Sequence, residues 1–292
     1  MNRRGALALG SCATLLVAST AFALGDTADV TSPATRGTVV QVTPTLPPPV
    51  PRVLWIGDSS LEGLKFYPRA FSAIGGMTYV YDAESCRRLV RPSCHSLAGK
   101  TPNTALEALQ SAVGPFDGVI IGTGYNEGSS EFSSDFDQIV AAARATGAVR
   151  ILWINYRLRD GLTRAGTDNN GSYVANNATL LRKVASGAYP DVVIADWRDY
   201  TASVRNWFVS DGIHYQPLGD LGSADYLSRW ISSLFDEPCP KPATVGGPIA
   251  NPCTPPDGSP PPDVLALYPC PSGVFGAHPG AVKHSSPTEW SV

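Results

Sequence analysis

The chain predicts an α/β fold, a three-layer α/β/α sandwich around a five-stranded parallel sheet. Short apolar runs ended by glycine or turn residues recur five times between residues 53 and 195, and the segments between them carry helical spacing. Strands that alternate with helices form a parallel sheet covered on both faces, so each strand reads as a continuous apolar run. Hydrophobic residues make up 43% of the 292 positions and charged residues 16%, enough for a buried core under a sparsely charged surface.

The first strand is Val53-Leu54-Trp55-Ile56, stopped by Gly57. Similar runs at Met77–Tyr81, Gly118–Ile121, Ile151–Asn155 and Val192–Ala195 supply the other four. Helices are expected over Leu61–Ile74, Thr104–Val113, Phe132–Ala145 and Tyr173–Ala185. A last one, Leu218–Leu234, follows Pro217 and closes the pattern. Reactive groups in such sheets belong at the carboxyl ends of the strands.

The flanks have other compositions. Asn2-Arg3-Arg4, the apolar run Ala6–Leu24 and Ala21-Phe22-Ala23 have the layout of a secretory signal peptide over residues 1–23. An uncleaved anchor is the alternative, since the run nears the roughly 20 residues that span a bilayer. Leu9-Gly10-Ser11-Cys12 resembles a lipobox, but most of the apolar run follows it. Residues 24–51 read as a Pro/Thr-rich linker that stiffens at Pro47-Pro48-Pro49-Val50-Pro51. Residues 52–236 form the α/β domain. Residues 237–292 hold more than half of the chain's 26 prolines and little apolar periodicity, which predicts an extended, disulfide-pinned tail dispensable for chemistry.

Six cysteines are present, of which Cys12 would leave with the signal. Export would place the others where disulfides persist, and none lies in a zinc-type pair. Cys86 and Cys94, close in sequence, are the first candidate pair. Cys239, Cys253 and Cys270 cannot all pair within one chain. The net charge of −3 and pI near 5.8 give no basic patch for nucleic acid.

Three segments carry chemistry. Gly57-Asp58-Ser59-Ser60 sits where the first strand passes into a helix, so the Ser59 hydroxyl stands at the top of the sheet and its N–H at a helix start. A helix cap is the competing explanation, because Asp and Ser are preferred there. In Ser210-Asp211-Gly212-Ile213-His214 the carboxylate can hold the imidazole, which could then accept the Ser59 proton. Of the four histidines, His278 and His284 lie in the tail and His95 near Cys94, so His95 is the other candidate base. Gly122-Thr123-Gly124-Tyr125-Asn126-Glu127 follows the third strand. Its amide could donate to an oxyanion, or the segment could be an ordinary Gly-Asn turn. Asp58, Gly124 and Tyr125 stand beside these as candidate substrate-binding residues.

Together the three segments resemble the SGNH (GDSL-like) hydrolase family over roughly residues 52–236. Gly57-Asp58-Ser59 is similar to its nucleophile block, Gly124-Tyr125-Asn126-Glu127 to its G-x-N-D block and Asp211-Gly212-Ile213-His214 to its D-x-x-H block. Glu127 stands where Asp is usual. The resemblance implies a flavodoxin-like fold, a Ser59–His214–Asp211 triad, and an oxyanion hole from the Ser59 N–H, the Asn126 amide and a backbone N–H after the second strand. There Asp82-Ala83-Glu84-Ser85-Cys86-Arg87 has Cys86 in the glycine's place, so Cys86 or Ser85 is the donor. A Cys86–Cys94 bridge would stabilise that loop by roughly 2.5 kcal/mol and fix the donor, and would hold Arg87, Arg88 and Arg91 if they line the pocket.

The activity implied is that of an exported serine esterase, cleaving a short acyl ester on a carbohydrate or lipid with no metal or organic cofactor. Its partner would be a small-molecule or glycan ester, with cell-wall association open. Two alternatives remain: an O-acyltransferase acting on wall or extracellular polysaccharide, and a non-catalytic glycan-binding module. The second has no need of Ser59, Asp211, His214 and Asn126 together. No G-x-S-x-G elbow is present.

Overall fold

The structure is a computed structural model that describes residues 50–96, 99–158, 170–261 and 264–268. The expected signal peptide, most of the linker and Cys270 lie outside these residues. Five parallel strands, β1 (Arg52–Gly57), β2 (Thr78–Ala83), β3 (Gly118–Gly122), β4 (Arg150–Ile154) and β5 (Val192–Ala195), form one sheet in the order β2-β1-β3-β4-β5. This is the flavodoxin-like arrangement, whose ligands bind beyond the strands' carboxyl ends.

Side chains of β1, β3, β4 and β5 alternate between two cores, whereas β2, at the sheet's edge, faces only the first and leaves Val80 exposed. Val53 and Trp55 of β1, Ile120 of β3 and Leu152 of β4 enter one core, shared with α2 (Pro68–Phe71) and α7 (Pro217–Leu234). Leu54, Ile56, Ile121 and Trp153 enter the other, shared with α3 (Ala105–Ser111), α4 (Phe132–Ala145) and α5 (Asn170–Ala185). The expected strands and four of the five expected helices lie within a few residues of these elements. α3 starts at a capping box, in which the Thr104 hydroxyl accepts from the Glu107 N–H and the Glu107 carboxylate from the Thr104 N–H. The expected helix Leu61–Ile74 is instead three pieces: α1 (Ser59–Glu62), a 3₁₀ turn Gly63–Phe66, and α2. Pro68 has no N–H to continue a helix, so it starts a new one.

Register places the site. Gly57 pairs with Ala83 of β2 and with Gly122 of β3, so three strands end level and the chain leaves all three at one edge. α1 then packs low over them, because a Cβ on Gly122 would come 2.3 Å from Leu61 Cδ1. Among the described residues no helix is long and apolar enough to cross a membrane.

The tail is pinned by a disulfide as expected, but it also contributes to the core. Val264, Leu267 and Tyr268 are buried in the α7 core, and Cys239–Cys253 forms a disulfide. Arg229 of α7 holds Asp225 through its Nε, 2.9 Å away, and donates to the carbonyls of Lys241 and Pro242 at 3.0 Å each. The Tyr268 hydroxyl also donates to Asp225. Little periodicity is visible because the tail presents a few isolated anchors to α7 rather than a continuous face. A chain ending at Asp236 is therefore expected to lose roughly 4–8 kcal/mol from three buried side chains, comparable to the whole stability of a domain. Denaturant unfolding checks this, and an unchanged midpoint would refute it.

Asp220, in the first turn of α7, is 4% exposed. Its Oδ1 faces Gly63, where a Cβ would come within 2.6 Å, and is buried without a hydrogen-bond partner. Burial pushes this carboxyl up to about 8, so it is largely neutral at pH 7. In the unfolded chain an Asp titrates near 3.9. Between about pH 4 and 8 the folded state therefore keeps a proton that the unfolded state releases. Stability from this group is complete below that window and falls by about 1.4 kcal/mol per pH unit as pH rises through it. Asp220→Asn should remove that slope. Unfolding midpoints of both proteins at pH 5 to 8 that run parallel would sink the idea.

Candidate active site

Beyond β1, Asp58 caps α1 by accepting from the Ser60 N–H at 3.0 Å, and Ser59 is the helix's first residue. The motif divides between neighbours: Asp58 caps and is buried, while Ser59 is half-buried and faces His214. Ser59 Oγ lies 2.9 Å from His214 Nε2, and His214 Nδ1 lies 2.5 Å from Asp211 Oδ2. The other Asp211 oxygen accepts from the N–H groups of Ile213, 2.8 Å away, and His214, 3.0 Å away. The turn thus folds around its own carboxylate, as short acidic side chains allow. Burial acts to raise the Asp211 carboxyl, but the His214 ring and the two N–H groups together hold it below the usual carboxylate range. Ser59 and His214 are 155 residues apart in sequence. His95, the other candidate base, places Nδ1 3.1 Å from Thr101 Oγ1 instead.

The loop after β2 contains Cys86, half-buried and with φ of 69°. That left-handed conformation is one glycine adopts freely, and it disfavours a side chain. Cys86 is held there by the disulfide to Cys94, with Cα atoms 5.1 Å apart, and its carbonyl accepts from the Cys94 N–H at 3.2 Å. The Ser85 hydroxyl donates to Glu62. Asn126 is half-buried after β3, and its Nδ2 donates to the Arg87 carbonyl at 3.1 Å. One amide hydrogen is engaged in this way, and the group has two.

A hydroxyl, an imidazole and a carboxylate in sequence can pass a proton and activate the hydroxyl as a nucleophile. Among the described residues no cluster of three or more His, Cys, Asp or Glu side chains is arranged to hold a metal ion.

No family model matches the chain, and no curated protein does. Among solved structures it is similar to the C-terminal catalytic domain of peptidoglycan O-acetyltransferase A from Streptococcus pneumoniae, at 17% identity and a TM-score of 0.45, covering 69% of this chain and 98% of that one. It is also similar to a carbohydrate acetylesterase from Sinorhizobium meliloti (15% identity, 63% and 100% covered, TM-score 0.45). An aryl esterase from M. smegmatis is comparable (15%, 63% and 99%, TM-score 0.47). Likeness at this level says nothing of chemistry, which has to be read from Ser59 and its surroundings.

Those surroundings correct one expectation, that of Asp58, Gly124 and Tyr125 as substrate-binding residues. Asp58 is fully buried, with Oδ1 accepting from Ser60 and Oδ2 from the N–H groups of Gly124, 3.0 Å away, and Tyr125, 3.1 Å away. Burial raises its carboxyl while these donors pull it back. Gly124 is buried too, at φ 138°, where a Cβ would meet the Tyr156 hydroxyl at 2.1 Å. The Tyr125 hydroxyl accepts from the Arg157 N–H at 2.8 Å, and its ring meets Tyr156 and Tyr173 edge-on. Asp58, Gly124 and Tyr125 therefore build the wall behind the site, and their polar groups are engaged within the protein.

The loop arginines, too, are paired within the protein. Arg87 is 2% exposed and donates to the carbonyls of Asp82, 2.6 Å away, and Asn103, 3.0 Å away. Arg88 pairs with Glu127 at 2.9 Å, and Arg91 with Glu131 at 2.6 Å. Glu127, only a mild departure in the sequence, also accepts from the Leu89 N–H at 2.6 Å and so fastens the disulfide loop to the Asn126 segment. No local signal marks this, because the partners are 38 residues apart.

Proposed function

We propose that this chain is a secreted serine esterase of the SGNH type, cleaving short acyl esters of a carbohydrate or lipid. The observation that carries the proposal is the hydrogen-bond chain from Ser59 Oγ through the His214 ring to Asp211, at 2.9 and 2.5 Å. In this mechanism Ser59 Oγ attacks the ester carbonyl carbon as His214 Nε2 takes its proton, and Asp211, ionised, steadies the imidazolium. The negative oxygen meets the Ser59 N–H, the N–H of Cys86 and the Asn126 amide. His214 then protonates the departing alcohol. Water attacks the acyl-serine with His214 again as base, and the acid leaves. The two cysteine bridges and the expected signal peptide support export.

The test is fluorophosphonate labelling followed by peptide mapping. The native protein should label at Ser59 and the Ser59→Ala protein should not. Labelling elsewhere, or none in the native protein, would overturn the proposal. Turnover of a p-nitrophenyl ester with and without a sugar acceptor separates hydrolysis from transfer.

The bridge should matter to turnover as well as to stability. Without it Cys86 can relax from φ 69° and turn its N–H away. Cys94→Ser is expected to lower kcat about tenfold or more, since small misplacements in a site are costly. Unchanged kcat would make the bridge only a loop staple.

A further inference from the structure

Arg157 follows β4 and belongs to none of the motif segments, yet its side chain reaches the turn that bears Asp211 and His214. It is 4% exposed. Its Nη1 donates to the carbonyl of Gly212, which directly follows Asp211 in the turn to His214. Its guanidinium lies 4.1 Å over the Phe208 ring, a geometry in which the cation is attracted to the ring's face. Phe208 pairs antiparallel with Tyr215, so the two residues close the base of the loop that carries Asp211–His214. The backbone N–H of Arg157 meanwhile donates to the Tyr125 hydroxyl, 2.8 Å away. Tyr125 precedes Asn126, and its own N–H is held by Asp58, the residue before Ser59.

We propose that Arg157 is a positioning residue for the reaction, which locks the Asp211–His214 turn onto the sheet and ties it to the Asn126 segment. This rests on the proposed esterase function. The physical need is clear from the fold. The turn Asp211–His214 is a loop between Phe208 and α7, whereas Ser59 stands on the rim of the sheet. A loop holds its geometry less well than the sheet does. A planar guanidinium can brace it from two sides at once, by a hydrogen bond to the Gly212 carbonyl and by stacking on Phe208.

Three measurements on the full chain test this: kcat and KM on a short-acyl p-nitrophenyl ester, the low-field proton resonance of the His214–Asp211 hydrogen bond, and the thermal unfolding midpoint. Arg157→Met should lower kcat by up to about 10²-fold with KM little changed, and should broaden or abolish the resonance. Arg157→Lys should restore part of both, because an ammonium can donate to Gly212 but cannot stack flat. A wild-type resonance and kcat in Arg157→Met overturn the proposal, as does a kcat loss that leaves the resonance intact. Should Arg157→Met fail to fold, Tyr125→Phe removes only the hydroxyl that accepts the Arg157 N–H. A broadened resonance there supports the coupling, and an unaltered one with unaltered kcat refutes it. The resonance is read in the resting protein, so it reports on Arg157 even if Ser59 proves unreactive and the esterase proposal fails.

Discussion

Replacing Ser59 by alanine is expected to reduce kcat on a short-acyl p-nitrophenyl ester by about 10⁶-fold, leaving the fold intact. The side chain is half-buried at the start of α1, where its Oγ bonds to His214, so its loss opens no cavity in either core. His214→Ala should cost a similar factor, because without a base the hydroxyl stays protonated at neutral pH. Asp211→Asn should cost about 10⁴-fold, since an amide can still receive the Ile213 and His214 N–H groups but no longer fixes the ring's tautomer. A Ser59→Ala/His214→Ala double variant should be no worse than either single one, because the residues act as a unit. Turnover measured beside thermal unfolding checks all four. Wild-type turnover in the Ser59→Ala protein would end the assignment.

Asn126→Ala should lower kcat by roughly 10²–10³-fold with KM little changed, the usual cost of one oxyanion donor. The amide is aimed by its bond to the Arg87 carbonyl, which keeps one hydrogen occupied and sets the plane of the other. That carbonyl belongs to the loop that Glu127 fastens through Leu89 and Arg88. Asn126→Asp keeps the shape and replaces the donor with a negative charge, so its loss should be at least as large. A variant that raised KM and spared kcat would put Asn126 in ground-state binding instead.

Much of this was legible in the chain itself. The five strands and most helices follow from apolar runs and 3.6-residue spacing, which are local properties of neighbouring residues. The placement of Ser59 at a strand-to-helix turn, and of Asp211 three residues before His214, follows in the same way. Where the sequence misled, one cause was local and the others were not. Leu61–Ile74 has helical spacing, but Pro68 divides it. Asp58 and Arg87 look available in the sequence, and become structural only once Gly124, Asp82 and Asn103 arrive beside them. The tail reads as coreless because the contacts of Val264, Leu267 and Tyr268 lie on α7 rather than in the tail.

The sequence by itself therefore determined the order and kind of most elements, the candidate residues for acyl chemistry, and the Cys86–Cys94 pairing, since each depends on spacing along the chain. Only the tertiary structure decided which histidine meets Ser59, why a cysteine can stand at a glycine's backbone angle, and what Glu127 and Arg157 hold. Level strand ends at Gly57, Ala83 and Gly122 bring segments far apart in sequence to one edge, and no pattern of neighbouring residues encodes a contact across that distance.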